Sequence, residues 1–439
     1  MARTAAGDGA VQPRRDLLLA GPERTLRHPH PGCRPGRQTE PLPALLVDRE
    51  HRGPRAVHHP PGRRWPRAVG GSGRCLPPGA AGGSRPAAAA AGGHRPRRSR
   101  GESDITVKAH IASTVREVPA DDWDRLARSA GLYLSHRWLL GEESDPTATA
   151  SYALVRDGDG TLLAAAPLYL VHSEPNDFYD PDLLELSGPP GPRVLAGARR
   201  GYHNAPLTDP GLSPERRTAC LALLRDCART HAERHDTTHW WPYLTEAAAE
   251  QLGAVYDRAA PQRMEDDAAI PLPGSSFEDY LASLPSKRRV AVRHERAAFH
   301  EAGLSIRHLP LGDCFREAGQ LLAALQSAHG HTADDTDLMT RLLGRQAEAM
   351  GEQARVTAAY EGQRMAAFSL YYHFGGTTWL RAVGTEPSCS APFAYFNLTY
   401  YLPIEAAYQE GTTTLHAGMK AIRAKQLRGA EVTGLFALR

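Results

Sequence analysis

The densest group of side chains able to take part in proton transfer lies in the last fifth of the chain. Its members are Tyr371, Tyr372, His373, Tyr395, Asn397, Tyr400 and Tyr401. A tyrosine hydroxyl can donate a proton to a leaving group or an oxyanion, and a histidine can accept one from an attacking ammonium. Tyr372, Tyr395 and Asn397 are therefore the first candidates for catalytic residues. The alternative interpretation is that these aromatic side chains fill a core.

A concentrated positive patch precedes this group. Its members are Lys287, Arg288, Arg289, Arg293 and Arg296. On a helix, positions 289, 293 and 296 share one face. Guanidinium groups pair well with phosphate oxygens, so the patch predicts binding of a phosphate group or a tRNA acceptor end. The alternative is a solvated helix face paired with Glu295 and Glu301.

A second basic group follows a predicted strand near the C-terminus. It consists of Lys420, Arg423, Lys425 and Arg428. Loops that follow sheet strands carry ligand contacts in α/β proteins. Lys420 and Lys425 are therefore candidates for binding a donor phosphate or a developing oxyanion. The alternative is a basic terminal segment without a ligand.

Histidine spacing gives no strong metal signal. His231, His235 and His239 are four residues apart, but residues 236–238 should end the helix before His239, so no metal site is predicted. The run Tyr202-His-Asn204 either contacts an acceptor at a module junction or forms a turn, which is the simpler interpretation. No Ser/His/Asp or Cys/His arrangement favours covalent catalysis, so direct attack by an amine on an acyl carbonyl is the simpler chemistry.

Charge divides the chain into two unlike parts. Residues 1–100 hold 19 Arg, no Lys and 6 acidic residues, a net charge of +13, whereas the remainder holds 33 basic and 43 acidic residues, a net charge of −10. The first part has no hydrophobic periodicity, so residues 1–103 are predicted to be a disordered extension, or translated GC-rich DNA ahead of the true start. The acidic remainder argues against broad electrostatic binding to nucleic acid.

Alternating strand and helix patterns run from residue 105 onward and predict an α/β fold, with mixed sheets flanked by helices. Two hairpins, over 151–171 and 355–373, each sit in the middle of one half and precede a long helix. This repetition predicts two related modules, 104–262 and 263–439, with the active cleft in the second. The second long helix, over 394–409, should be kinked at Pro403.

Four stretches carry a resemblance to a known family. They are Leu134-Ser-His-Arg-Trp138 with the hairpin ending Ala164-Ala-Ala-Pro-Leu-Tyr169, Leu284-Pro-Ser-Lys-Arg-Arg289 with Arg293-His-Glu-Arg296, residues 366–411, and residues 415–425 with Gly429. Together they resemble the Fem-type peptidyltransferases and the related peptidoglycan biosynthesis/recognition acyltransferases, built from tandem modules of the GNAT superfamily. The resemblance implies a cleft for an acyl donor and an amine acceptor, on a cell-wall precursor or a peptide-like metabolite.

The chain departs from acetyl-CoA-dependent GNAT enzymes at one loop. Between Thr385 and Phe393 it reads Glu-Pro-Ser-Cys-Ser-Ala-Pro, without the Gln/Arg-x-x-Gly-x-Gly/Ala spacing whose N–H groups hold a pyrophosphate. Aminoacyl-tRNA therefore fits better than acyl-CoA as the co-substrate, and no tightly bound cofactor or stable protein partner is predicted. An acetyl-CoA-dependent acetyltransferase and a non-catalytic peptidoglycan-binding module remain as alternatives. No apolar run is long enough for a membrane span, which predicts a cytoplasmic protein.

Overall fold

The computed structural model describes residues 107–439, apart from 175, 177, 185, 187–190, 258–259 and 329–335. The extension predicted over residues 1–103 lies outside the described residues. Within the described ranges, no helix is both long enough and apolar enough to cross a membrane.

The first half of the described chain, here called the first repeat, alternates strands and helices. Its strands are β1 (Lys108–Ala112), β2 (Ala148–Arg156), β3 (Leu162–Val171), β4 (Arg193–Ala196), β5 (Leu207–Thr208), β6 (His239–Thr245) and β7 (Gln262–Pro271). Its helices are α1 (Ala120–Ala127), α2 (His136–Glu142), α3 (Pro214–Glu233) and α4 (Glu246–Gly253), with 3-10 turns at Val115–Glu117 and Leu132–Leu134. Ser213 caps α3, because its side chain accepts a hydrogen bond from the N–H of Arg216.

A helical hairpin follows, and the same order of elements then returns as the second repeat. The hairpin is α5 (Phe277–Ser283) and α6 (Ser286–Glu301). The second repeat contains β8 (Ser305–Pro310), α7 (Leu311–Ala328), α8 (Thr336–Met350), a 3-10 turn at Gly351–Gln353, β9 (Arg355–Glu361), β10 (Arg364–Phe374), β11 (Thr377–Thr385), α9 (Ala394–Phe396), a π-helical turn at Asn397–Tyr401, α10 (Leu402–Glu410), β12 (Thr414–Met419), α11 (Ile422–Gln426) and β13 (Glu431–Leu438). The predicted α/β class, with mixed sheet, flanking helices and two repeats, is confirmed.

All thirteen strands of the described chain join one mixed sheet, in the order β1-β2-β3-β4-β6-β13-β7-β12-β11-β10-β9-β8, with β5 on β3. The two repeats exchange their last strands: β13 pairs with β6 of the first repeat, and β7 pairs with β12 of the second. The predicted module boundary at 262/263 falls inside β7, at the centre of this exchange. The division into 104–262 and 263–439 stays a proposal about how the chain is organised.

Each repeat contains one pair of parallel strands that soon separates. In the first repeat, β4 and β6 pair only at Val194 with His239 and at Leu195 with Trp240. In the second, β11 and β12 pair over three positions, the last being Trp379 with His416. The opening beyond Leu195 and Trp240 is here called the first gap, and the opening beyond Trp379 and His416 the second gap.

Packing ties the repeats into one body. The largest cluster of buried apolar side chains runs from Trp123 and Trp138 in the first repeat to Phe368 and Tyr372 in the second. Burial of that much apolar surface is the main favourable term in folding. The two repeats therefore share a core, and side chains from both can meet at one site.

The structure differs from the sequence-based expectation at one helix and at two strands. The kink expected at Pro403 takes the form of the five-residue π-helical turn just before it, which accommodates the missing proline N–H. The strands β7 and β13 were not predicted, although both lie in the middle of the sheet, because neither has a clear alternation of apolar and polar residues.

Candidate active site

The first gap is closed by Asn204. Its main chain bridges to β6: its N–H donates to the carbonyl of Tyr243 over 3.0 Å, and its carbonyl accepts from Thr245 over 3.1 Å. Its side-chain Oδ1 accepts from the N–H of Ala198, and Nδ2 donates to the carbonyls of Ala196 and Pro242, at 2.8–3.0 Å. The amide is fully buried and fully bonded. This anchoring fixes the neighbouring residue, His203, at the junction of the repeats.

His203, Asp267 and His416 meet at that junction. The Asp267 Oδ2 atom accepts from His416 Nε2 at 2.9 Å and lies 3.5 Å from His203 Nδ1. Asp267 and His416 each expose 4% of their side chains, whereas His203 exposes 28%. His203 is therefore the member of this trio that a substrate can reach.

Strand pairing explains how Asp267 and His416 come together. On β12, His416 pairs with Ala269 of β7, and a β-bulge follows before Gly418 pairs with Ala268. Asp267 and Ala269 point to the same face of β7 because side chains alternate along a strand. His416 therefore sits diagonally across from Asp267 on that face. Bulges of this kind re-aim side chains next to functional sites.

Burial sets the charge states of the buried pair. Burial alone would raise the pKa of Asp267, but the charges and hydrogen bonds of His416 and His203 hold it well below its usual range. Burial lowers the pKa of His416, and the charge of Asp267 opposes that shift. At neutral pH, Asp267 is thus a carboxylate that can orient His203 and stabilise positive charge on its ring.

Lys425 holds the turn that follows β12. Its ammonium donates to the carbonyls of Gly418 and Met419 at 2.7 and 2.6 Å, and the residue is 5% exposed. Burial lowers the pKa of Lys425 to about 8, with the charge of Asp267 partly offsetting the effect. Lys420 and Ala421 in this turn have positive φ angles of 63° and 46°, a strained backbone that Lys425 helps to fix.

Aromatic rings surround the trio. The ring of Trp379 lies 4.4 Å from that of His416 and 5.5 Å from that of His203, measured between ring centres. Tyr202 stacks on Tyr179 with ring centres 5.7 Å apart. This wall excludes water from one side of Asp267, and such exclusion strengthens the electrostatic interactions within a site.

The trio is also the place where a metal ion would have ligands. One ligand atom from each of His203, Asp267 and His416 lies within 4.8 Å of the others. Asp267 Oδ1 and His416 Nδ1 are buried and have no hydrogen-bond partner in the described part of the chain. Two histidines and a carboxylate are a ligand set that Zn²⁺ accepts. The expectation that the protein holds no metal stays a prediction, tested below.

A family comparison places this geometry in context. Residues 212–436, which are 225 of the 439 residues, match the family model named FemAB-like and described as peptidoglycan biosynthesis/recognition. The chain belongs to the FemAB-like family. The match contains Asp267, His416 and Lys425, and His203 lies just ahead of it.

Solved structures confirm the fold of this FemAB-like protein. FemX matches with a TM-score of 0.53 and 11% identity, covering 73% of this chain and 96% of FemX. A conserved protein of unknown function from Bacteroides thetaiotaomicron matches with a TM-score of 0.50 and 13% identity, covering 76% of this chain and 98% of that one. No curated protein matches the sequence. At these identities the similarity establishes the fold alone.

No hydrogen bond or ring contact joins the residues predicted to be catalytic to the trio in the described part of the chain, and their catalytic role stays a prediction. Tyr372 is buried in the shared core, where its hydroxyl donates to Gln346 at 3.0 Å. Asn397 opens the π-helical turn and donates to the carbonyls of Glu295 and Phe393 at 3.2 and 3.0 Å. Tyr395 is half-buried on the same helix, and burial raises its pKa. The contacts of Tyr372 and Asn397 are those of residues that hold structure in place.

The two basic groups come together in the FemAB-like fold. Arg288 donates to the carbonyl of Leu427 at 3.0 Å, which joins the start of α6 to the end of α11. Most of the predicted phosphate contacts already have partners: Arg289 with the Ala282 carbonyl, Arg293 with Glu278, Arg296 with Glu405, Lys420 with Glu265, and Arg428 with Glu295. Lys287 is exposed and has no ion-pair partner within the described residues.

The loop between β11 and α9 also has few donors to offer a pyrophosphate. The N–H of Glu386 donates to the Ala366 carbonyl, that of Cys389 to the Glu386 carbonyl, and that of Ser390 to the Glu361 carboxylate. Pro387 and Pro392 have no N–H to give. Three N–H groups of the loop are thus already engaged and the loop is closed to a pyrophosphate, which agrees with the missing glycine spacing in the sequence.

The sequence left His203 with two interpretations, a contact with the acceptor at the module junction or a turn, and it did not single out Asp267 or His416 as site residues. One signal was present for Asp267: three successive acidic residues, Glu265 to Asp267, stand in a segment that becomes a central strand. A carboxylate at such a position must have a partner. The partners come from residues 203 and 416, far along the chain, so spacing could not reveal them.

Proposed function

We propose that this FemAB-like chain is a cytoplasmic N-acyltransferase that joins an acyl or aminoacyl group to an amine on a cell-wall precursor or peptide-like metabolite. One observation carries the proposal: an accessible histidine, His203, lies beside a buried carboxylate at the open end of a parallel strand pair, where both repeats contribute residues. A base oriented by a carboxylate is the arrangement that activation of an amine requires.

The chemistry follows from which atoms remain available. His203 Nδ1 donates to Asp267, so Nε2 is left to accept a proton from the acceptor ammonium. The freed amine nitrogen attacks the acyl carbonyl carbon and forms the C–N bond. The proton that His203 took from the ammonium passes to solvent, and His203 Nε2 then takes the second proton from the nitrogen as the C–N bond forms. The ester C–O bond of an aminoacyl-tRNA, or the thioester C–S bond of an acyl-CoA, then breaks, and the leaving oxygen or sulfur takes this second proton from His203.

The basic residues suit the donor. Lys287 and Lys420 are exposed, and we propose that they contact the phosphates of the donor, with a tRNA acceptor end as one partner. Arg288, Arg289, Arg293 and Lys425 contribute by holding this surface and the turn after β12. We assign Lys425 a positioning role because its ammonium donates to the carbonyls of the last two residues of β12, Gly418 and Met419.

Two other functions remain as alternatives. An acetyl-CoA-dependent acetyltransferase would use the same trio, but the closed loop between β11 and α9 favours it less. A non-catalytic peptidoglycan- or peptide-binding module on this fold would need no oriented base, so the trio argues against it. Fold alone does not choose among these functions.

The test is a transfer assay on the full chain with aminoacyl-tRNA and acetyl-CoA as donors, against a panel of peptidoglycan-precursor peptides and dipeptides, read by mass spectrometry. We expect product with one donor, and a loss of 100-fold or more for His203→Gln and Asp267→Asn, the size usual for a general base. Asp266→Asn is the matched control, because Asp266 is on the same strand but pairs with Arg263 on the surface.

Equal activity in the Asp267→Asn and Asp266→Asn variants would contradict the proposed site. Product from acetyl-CoA alone would identify the chain as an acetyltransferase. Donor binding by calorimetry, weakened in Lys287→Ala or Lys420→Ala, would support the contact with the donor phosphates. Binding of peptide without any product from either donor would favour the binding module.

A further inference from the structure

Arg381 lies at an interruption in the pairing of β10 with β11. The register skips this residue, which makes it the extra residue of a β-bulge. Its guanidinium carbon lies 5.8 Å from the ring centre of Tyr133 and 5.6 Å from that of Trp138. The bulge thus turns a cation toward aromatic side chains of the first repeat.

Arg381 has no anionic partner among the described residues. No carboxylate oxygen there comes within the 4.0 Å of an ion pair to its nitrogens. Glu142 is influenced by its charge, but Arg200 and Arg199 act on that carboxyl more strongly. A guanidinium that is only partly exposed and has no counterion carries an uncompensated cost of desolvation.

Three buried hydrogen-bond donors near Arg381 also have no acceptor. The hydroxyls of Tyr133 and Tyr179 and the indole N–H of Trp138 find no acceptor among the described residues, and the Arg381 guanidinium, which acts on the Tyr133 hydroxyl, is itself a donor. The two tyrosines are fully buried and Trp138 is 3% exposed. Burial raises the pKa of both tyrosines, with the charge of Arg381 acting against it, so both hydroxyls keep their protons. Unpaired buried donors are rare and need an explanation.

A single ligand type satisfies all these groups. We propose that Arg381, Tyr133, Tyr179 and Trp138 form a binding site for a compact oxyanion, a carboxylate or a phosphate, carried by the substrate. Such a group supplies a counterion to the guanidinium and acceptors to the three donors. Arginine presents parallel N–H groups that match the two oxygens of either anion.

The site lies close to the trio of His203, Asp267 and His416. The ring of Tyr133 is 5.6 Å from that of Trp379, which in turn lies against His416. Tyr202, half-exposed and next to His203 in the chain, lies 6.3 Å from Tyr133 between ring centres. An anion held by Arg381 would therefore place the adjoining part of the same molecule at His203.

This placement deepens the proposed function, on which it rests for its meaning in catalysis. The substrate class becomes a small acidic molecule or an acidic terminus, such as an amino acid or peptide whose carboxylate lies a few bonds from the reacting group. An amine without an anionic group could not form this contact with Arg381. The binding site itself can be tested without any transfer reaction.

The first measurement is thermal unfolding of the full chain in acetate, inorganic phosphate, chloride and the neutral isostere acetamide, at matched ionic strength. We expect acetate or phosphate to raise the midpoint above chloride and acetamide, because a ligand that binds only the folded state stabilises it. The acetate and phosphate arms separate a carboxylate from a phosphate as the natural group.

Variants assign the effect to the site. Arg381→Met should abolish the anion-dependent shift without lowering stability in chloride, since it removes an unpaired charge. Arg307→Met is the matched control, because Arg307 also stacks on a tyrosine, Tyr360, but far from this site. Tyr133→Phe should weaken anion binding, and Tyr372→Phe, which loses a satisfied bond, should not. Should Arg381→Met not fold, Arg381→Lys should fold and bind at least tenfold more weakly.

The outcomes separate this inference from the proposed transfer reaction. No shift in either anion, or an equal shift in Arg381→Met and wild type, would overturn the anion site. A shift that depends on Arg381 in a chain that transfers nothing would support the site and count against the transferase proposal. Where transfer is observed, glycine as acceptor should be preferred at least tenfold over glycinamide, and this preference should vanish in Arg381→Lys.

Discussion

Both gaps in the sheet arise where a pair of parallel strands separates, but they differ in what fills the opening. In the first gap, Asn204 bridges the separating strands and leaves none of its side-chain bonds unused. In the second gap, no main-chain hydrogen bond joins β11 to β12 beyond Trp379 and His416 in the described structure, and Asp267 Oδ1 and His416 Nδ1 lack partners. The first gap is thus filled by a hydrogen-bonded side chain that holds its position, whereas the second gap contains polar atoms that are available to a ligand.

The closure of the first gap also affects the site at the second gap. Asn204 is held by five hydrogen bonds, three through its side chain and two through its main chain, and His203 is the residue before it. The closure of the first gap thus positions a histidine at the second. A site built across two repeats needs one rigid partner, because a shift of about 1 Å in a reacting group is costly in rate.

The largest expected effect comes from opening the closed gap. Asn204→Ala leaves the Ala198 N–H and the carbonyls of Ala196 and Pro242 buried without partners, at about 1–3 kcal/mol for each unsatisfied group. We expect a loss of about 3–5 kcal/mol in unfolding free energy, measured with urea. His203→Gln, one residue away and partly exposed, should cost less than about 1 kcal/mol. Similar losses in both variants would show that the gaps do not differ in this way.

A pair of glycines gives a sharper contrast. An alanine Cβ at Gly197, where φ is +89°, would lie 1.9 Å from Asn204 Oδ1, whereas at Gly418, with φ of +71°, the nearest atom is Tyr202 Cδ2 at 3.6 Å. We expect Gly197→Ala to cost about 3 kcal/mol or more, and Gly418→Ala only the 1–2 kcal/mol of backbone strain.

The double variant identifies the cause. Because the clash at Gly197 is with Asn204, the cost of Gly197→Ala should fall by at least about 1 kcal/mol in the Asn204→Ala background. Additive losses in urea unfolding would mean that Gly197 is constrained by something other than Asn204.

The open gap should show its own dependence on pH through Lys425. Its pKa falls from 10.5 to about 8 on folding, so between those values the unfolded chain binds more protons, and stability rises with pH. Relative to Lys425→Met, wild-type stability should therefore increase by about 2–3 kcal/mol from pH 7.5 to 10.5. Lys420→Met, which removes an exposed ammonium from the same turn, is the control. A parallel pH dependence in wild type and Lys425→Met would contradict this.

The sequence predicts the helices and hairpins of this molecule better than the residues of its candidate site. Both hairpins and the helix over 394–409 were predicted within a few residues, because helical periodicity and Asp-Gly or Glu-Gly turns are local signals. The strands β7 and β13 were missed because their stability comes from neighbours that are distant in sequence. A run such as Glu265-Asp266-Asp267 is unfavourable for a strand by its own propensity, and pairing with β12 and β13 overrides it.

The candidate site at the junction could not be predicted from the sequence for a related reason. Aromatic and basic density drew attention to Tyr372, Asn397 and Arg293, whose partners in the structure are structural. His203, Asp267, Arg381 and His416 come from four separate places in the chain. Bulges at positions 381 and 417 change the direction of side chains near the junction, and no sequence pattern predicts these bulges. Asp267 is an acidic residue in a central strand, where its propensity is unfavourable. It was the best clue in the sequence, because departures from local propensity concentrate at functional sites.

The smallest expected effect concerns metal at the open gap. If Asp267 serves to orient His203, the trio needs no ion, and equimolar Zn²⁺ should move the unfolding midpoint by less than about 1 °C, under the shift of about 2–4 °C that 1 kcal/mol gives even in a smaller domain of roughly 150–250 residues. Prolonged chelation should leave transfer activity unchanged. Co²⁺ offers a direct readout, because binding by two histidines and a carboxylate gives visible absorption bands. Bands that appear in wild type and disappear in His203→Gln, but persist in His235→Gln, would make the trio a metal centre and reassign Asp267 from orienting group to ligand.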